Sequence, residues 1–119
     1  MMSSSLVGTT CLVHRVQNKK GLGPYRDPFL SRGMLDHHNR SDQHPHPFFD
    51  RGIGRLVRPN EKCAFLTRKS LHQWFDKEEL IILNDLGYEV VTTKAEITAV
   101  GKKQILISWR KKKMKDFEE

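Results

Sequence analysis

Residues 88–110 read YEVVTTKAEITAVGKKQILISWR, two runs of β-branched and apolar side chains separated by Gly101-Lys102. Runs of strand length broken by a turn dipeptide predict an antiparallel hairpin. The two-residue period of a strand sets Val90, Thr92 and Lys94 on one face and Val91, Thr93 and Ala95 on the other, and it puts Ile105 and Ile107 together on the second strand.

Upstream of the hairpin, residues 62–66 (KCAFL) have the composition of a short strand, and Thr67 is placed to cap a helix running to Phe75. Leu71, Trp74 and Phe75 give that helix its apolar face. Asp76 followed by Glu79 is a capping box that opens a second helix, with Leu80, Leu83 and Asn84 at helical spacing and Gly87 as its stop. Near the start, residues 10–16 (TCLVHRV) predict a first strand, preceded by a small, polar and loose segment over 1–9. Alternation in that strand forces either Arg15 or His14 onto a partly buried face, and Arg15 has the larger chemical consequence.

Between the first strand and residue 61 the chain is broken by Gly21, Gly23, Pro24, Pro28, Gly33, Pro45, Pro47, Gly52, Gly54 and Pro59. The glycines and Pro24 force a turn after the strand, and only a short helix or 3₁₀ turn fits around residues 30–38. So long a loop in a small domain is either functional or disordered. Its content of Phe29, Leu30, Leu35, Phe48, Phe49 and Ile53 predicts an ordered loop pinned by aromatic anchors. The expected architecture is therefore α+β: a small split antiparallel sheet, two short helices and one long ordered loop, in a single domain over 10–110 followed by a charged tail over 111–119.

The chain of 119 residues carries 21 Lys and Arg against 14 Asp and Glu, a formal charge of +7. That length suits one core and one binding surface. The excess is +5 over residues 1–60 and +2 over 61–119, so the basic character is not confined to the tail. Such a balance favours anionic partners: phosphates, nucleic acid or an acidic protein face. Two cysteines, Cys11 and Cys63, are too few for a disulfide framework, and a cytoplasmic setting is expected. No run approaches the apolar length of a membrane span, and residues 1–5 do not read as a basic region leading into a long apolar stretch, so neither export nor a membrane anchor is expected.

Four groups of residues can carry chemistry. Arg15 and the turn that follows it, within HRVQNKKGLGPYR, offer a guanidinium fork and backbone amides freed by Gly21 and Gly23 to approach a pyrophosphate; alternatively Arg15 pairs with an acidic neighbour and the glycines only turn the chain. The spacing is not that of a P-loop or a dinucleotide fingerprint. The loop over 36–50 (DHHNRSDQHPHPFFD) holds His37, His38, His44 and His46 among three aspartates. Imidazole with carboxylate suits a transition metal, but the spacing matches no zinc pattern, so no metal ligand is assigned and the histidines are read as substrate or partner contacts or as solvated loop residues. Phe65-Leu66-Thr67 stands at a strand-to-helix junction, where a hydroxyl caps the helix or holds a ligand. The basic run over 110–115 binds phosphate backbones without sequence preference or simply solubilises the chain, and only Trp109 and Phe117 supply aromatics beside it.

Three of these segments carry a resemblance. HRVQNKKGLGPYR, CAFLTRKSLHQWF with the following DLGYEVV, and GKKQILISW look like a set of small proteins of bacteriophages and bacteria. The order of parts also resembles, remotely, the ADP-ribosyltransferase superfamily, whose split β-sheet clamps NAD. That likeness implies that Arg15 contacts the dinucleotide together with Gly23, and that Phe65 and Thr67 shape a nicotinamide pocket on which Tyr25 or a loop histidine stacks. Gln104 falls where the superfamily places a catalytic glutamate. A glutamine cannot supply the negative charge that stabilises an oxocarbenium ion, so this departure puts turnover in doubt.

Two classes of function follow. The first is a phage-type protein of the host cytoplasm that binds NAD or a related nucleotide and transfers ADP-ribose to a host target, with Arg15 and Gln104 as the reacting-site pair. The second is a noncatalytic inhibitor or adaptor that binds a host protein complex, in anti-defence for example, or a basic nucleic-acid binder acting through the tail. The first requires Arg15, Phe65, Thr67 and Gln104 to line one cleft.

Overall fold

Strand β1 (Thr10–Gln17) begins where the sequence turns β-branched and apolar, and it pairs antiparallel with β3 (Glu89–Val100) over its whole length. Strand β4 (Ile105–Ser108) returns beside β3 after the Gly101 turn, and β2 (Glu61–Ala64) pairs with β4. In this computed structural model, which describes residues 6–108, the four strands form one antiparallel sheet in the order β1-β3-β4-β2. The small antiparallel sheet expected from the sequence is thus present as one continuous sheet that curls.

Its curl has a local cause. The β3–β4 register slips between Ile97 and Ala99, a bulge that bends the strand and tightens its twist. The sheet closes far enough for its edges to touch: the N–H of His14 donates to the Phe65 carbonyl and that of Phe65 to the His14 carbonyl, both at 2.8 Å. Inside the curl lie Val13, Ala64, Ala95, Ile97, Ile105 and Ile107. The alternation read from β3 holds, with Ala95, Ile97 and Ala99 buried while Thr92 and Lys94 face out. Strand β4 is buried on both faces, which a two-residue period alone does not foretell.

A second core lies between the helices and the end of the sheet. Helix α1 (Pro28–Ser31) is a single turn, α2 (Arg68–Trp74) is capped by Thr67 accepting from the Ser70 N–H, and α3 (Lys77–Asp85) opens with the anticipated capping box of Asp76 and Glu79. Leu71, Trp74 and Phe75 join Leu30, Leu35, Leu83 and Tyr88 in this core. Each fully buried leucine stabilises the fold by roughly 2 kcal/mol through apolar area removed from water. Asn84, placed by spacing on the inner face, is exposed instead.

The long loop is built from short 3₁₀ turns at Pro24–Arg26, Asp36–Arg40 and Pro47–Phe49. The expected aromatic anchoring fails, with Phe29, Phe48 and Phe49 80%, 47% and 77% exposed, and the buried Leu30 and Leu35 anchor the loop instead. The principal tether is polar. Asp50, 1% exposed, receives the backbone N–H groups of Lys102, Lys103 and Gln104, tying the loop to the β3–β4 turn. Residues 6–9, expected to be loose, are held by bonds from Gly8 N–H to the Ile97 carbonyl and from Ile97 N–H to the Thr9 carbonyl. The basic run over 110–115 lies outside the described residues. No helix among the described residues is long and apolar enough to cross a membrane.

Candidate functional site

Where β1, β2, α2 and the histidine loop converge, they leave a cavity of about 670 Å³. The first strand contributes Arg15, the turn after it Gly23 and Tyr25, β2 Cys63, the following junction Phe65, helix α2 Trp74, and the approach to β4 Gln104. The loop adds His38, His44 and His46. Eight of the ten candidate site residues read from the sequence, all but Thr67 and His37, therefore share this concavity. Arg26 and Arg32 complete a lining with three arginines and three histidines, and among the described residues no Asp or Glu lines it. Tyr25, Phe65, Trp74 and Phe75 supply aromatic surface on the same lining.

Two expected members are elsewhere. Thr67 is exposed and spent on the helix cap, its hydroxyl oxygen accepting from the Ser70 N–H at 3.0 Å; it does not line the cavity. Helix initiation outcompetes a ligand role because the first-turn N–H groups have no other partner. His37 also falls outside the lining and contacts Glu79 instead.

Arg15 is 5% exposed, and its fork braces the site from behind. It donates to the Cys63 carbonyl at 2.7 Å, the Gly21 carbonyl at 3.3 Å and the Gln17 side chain at 2.9 Å, so it joins the two edge strands and fixes the glycine turn. Burial pulls its pKa below the ordinary guanidinium value. Gly21 turns the chain at φ +80°, a conformation that favours glycine, whereas Gly23 is extended at φ −75° and imposes no such demand. Gln104 is buried and donates its amide N–H to the Pro45 carbonyl at 2.7 Å, which holds the histidine loop against β4.

The loop histidines are wired into a network that spacing did not reveal. His38 stacks on His44 with ring centroids 3.7 Å apart and planes 8° from parallel. His44 Nε2–H donates to the Trp74 carbonyl at 2.6 Å, leaving its Nδ1 buried without a hydrogen-bond partner among the described residues. The Trp74 indole N–H donates to the Tyr25 hydroxyl oxygen at 2.7 Å, and that hydroxyl is hydrogen-bonded to His38 Nδ1. His38 Nε2 stands 2.9 Å from Glu79 Oε2, and His37 Nε2 lies 3.0 Å from the same oxygen. Burial lowers the His38 pKa and outweighs the raising effect of Glu79. Burial also raises the Tyr25 phenol, which keeps it protonated. Glu79, read from the sequence only as half of a capping box, was the missed residue; its partners are 41 and 42 positions away and no local pattern names them. His37, His38 and Glu79 bring three possible metal-ligand atoms within 4.8 Å of one another.

A curled four-stranded antiparallel sheet flanked by short helices, with a basic and aromatic concavity at its end, defines a small α+β protein. Residues 2–119 match the family described as Bacteriophage T4 Y00F protein, and the chain belongs to that phage family. No curated protein and no solved structure matches it, and the comparisons lend the ADP-ribosyltransferase likeness no support.

Proposed function

We propose that the cavity binds an anionic ligand with a planar ring, a nucleotide of which NAD is the specific candidate, without transferring ADP-ribose from it. The observation that carries this reading is the lining: Arg15, Arg26, Arg32 and three histidines, with no carboxylate among the described residues. Guanidinium groups at the wall and rim of a partly enclosed cavity attract phosphate, and the aromatic residues suit a base or nicotinamide ring. A volume of about 670 Å³ lies within the range of small-molecule sites. The same lining argues against transfer. Cleaving a glycosidic bond to nicotinamide needs negative charge beside the developing oxocarbenium ion, and Gln104 is a neutral amide tied to Pro45.

Titration with NAD, ADP-ribose and AMP, followed by tryptophan fluorescence because Trp74 lines the cavity, tests the reading. Saturable quenching is expected, weakened by Arg26→Glu and Arg32→Glu, whose side chains are exposed at the rim. No saturation with any of the three nucleotides would overturn it. Nicotinamide release from NAD is expected to stay at background.

A second reading, a noncatalytic adaptor for a host protein, is favoured by one observation: Phe48 and Phe49 pack edge to face at 5.1 Å yet remain 47% and 77% exposed on the loop. Exposed aromatic pairs of this kind suit protein contacts. A nuclease-resistant partner captured from host lysate by the native chain, and lost on Phe48→Ser with Phe49→Ser, supports it.

A further inference from the structure

We infer that His37, His38 and Glu79 form a binding site for a divalent transition metal of the zinc class, with the two Nε2 atoms and Glu79 Oε2 as ligands. This inference does not rest on the nucleotide reading, because only His38 of the three lines the cavity.

The first support is convergence. Both imidazole nitrogens meet one carboxylate oxygen at 3.0 and 2.9 Å. Ligands held about 2.0–2.1 Å from a tetrahedral zinc are about 3.3 Å apart, so each imidazole–carboxylate pair needs to open by only a few tenths of an ångström, and the two Nε2 atoms lie within 4.8 Å of each other.

Hydrogen-bond polarity is the second support. His37 Nδ1 lies 3.1 Å from the Met34 carbonyl, which can only accept, so Nδ1 carries the ring proton. The neutral ring then turns the lone pair of Nε2 toward a carboxylate oxygen at 3.0 Å. Two acceptors at that separation need a cation between them: a second proton on the imidazole or a metal ion.

Third, each ligand has an outer partner of the kind that orients metal ligands. The Met34 carbonyl orients His37, the Tyr25 oxygen faces His38 Nδ1, and the Asp76 N–H donates to Glu79 Oε1 at 3.0 Å, which leaves Oε2 for the histidines. With metal bound, His38 Nδ1–H donates to Tyr25, whose oxygen already accepts from Trp74. Two imidazoles and one carboxylate match the borderline ligand preference of zinc and leave a fourth position open. The His37 side chain is 58% exposed, so an ion can reach the site from solvent.

Cobalt(II) titration of the full chain, followed by visible absorption and by competition with zinc, tests the site. One equivalent with tetrahedral d–d bands is expected, displaced by zinc. Loss of a direct ligand in His37→Gln is expected to weaken binding by more than the about 10–100-fold that loss of an outer partner costs. Glu79→Gln retains an oxygen for the Asp76 N–H and removes the ligand charge, and it is expected to weaken binding similarly. His72→Gln, on the exposed side of α2, should bind as the native chain does. The inference is overturned if the native chain gives no saturable cobalt spectrum, or if His37→Gln binds unchanged, which would make the His37–Glu79 contact an ordinary ion pair of a protonated imidazole. Should circular dichroism show Glu79→Gln to be unfolded, the solvent-exposed His37→Gln decides alone.

Discussion

Asp50 accepts the N–H of Lys103 on both of its carboxylate oxygens, at 3.2 and 3.1 Å, across 53 positions of sequence. The same side chain takes the N–H groups of Lys102 and Gln104. It thereby replaces strand pairing at a turn where the hairpin has run out of its own partners, and it fixes the loop that walls the cavity. The fit is close: a Cβ added at Gly101 would stand 2.6 Å from the Asp50 carboxylate, and one at Gly52, where φ is +103°, would stand 2.4 Å from the Val100 carbonyl.

Removing that carboxylate leaves three amides to find other partners. Asp50→Ala is expected to cost roughly 2–4 kcal/mol, and Asp50→Asn less, since the amide keeps one acceptor oxygen. Urea denaturation gives both values; a loss under about 0.5 kcal/mol for the alanine variant would show that the turn holds without the clamp.

Arg15 links β1 to β2 through the Cys63 carbonyl and to the glycine turn through the Gly21 carbonyl. A lysine carries the charge but not the planar fork, so Arg15→Lys should destabilise the chain by roughly 1–3 kcal/mol, with Arg15→Ala worse. Thermal melts of the two variants separate charge from geometry. If lysine restores full stability, the fork is not what joins the edges.

Glu61 is expected to contribute to the fall of stability in acid. Arg55 donates to both of its oxygens, at 2.8 and 2.6 Å, and holds the Glu61 carboxyl at about 2, below its ordinary 4.5. A carboxyl depressed by folding contributes stability that is present above the unfolded value and lost as pH falls toward the folded one, here between about 4.5 and about 2. The contribution is on the order of 3 kcal/mol at neutral pH. Glu61→Gln should lower stability at pH 7 and flatten its fall across that acid window; an unchanged acid limb would assign the effect to other carboxylates.

Cys63 lines the cavity as a neutral thiol. Burial pushes it up to about 11 despite the lowering influence of Arg15. Because the thiolate is the nucleophile, alkylation by iodoacetamide should be slow at pH 8 and climb about tenfold per pH unit until the titration midpoint. Peptide mass spectrometry at Cys63 across pH measures this, and a rate already at its plateau below pH 9 would contradict it. A ligand seated in the cavity should slow the modification further.

Much of the secondary structure was open to reading from the sequence because its causes are local. The capping box of Asp76 and Glu79, the Thr67 cap and the apolar face of α2 each operate within one or two helical turns. Alternation in β1 and β3 likewise follows from a two-residue period; in β1 it left either His14 or Arg15 to turn inward, and the structure buries Arg15 with Val13. The aromatic loop residues misled for the same reason: hydrophobicity is local, but whether Phe29 or Phe49 finds a cavity to fill is not.

The sequence by itself determined the α+β class, the hairpin, the two main helices and a chain rich in cations. Only the tertiary structure decided the sheet order, the meeting of the edges at His14 and Phe65, the use of Arg15 as an internal brace, and the joining of His37 and His38 to a glutamate from the next helix layer. The physical reason is separation. Helix caps and strand faces are settled by neighbours a few residues away, whereas the contacts that shape this site, His38 with Glu79 and Asp50 with Gln104, span 41 and 54 positions and form only when the folded chain brings distant segments together.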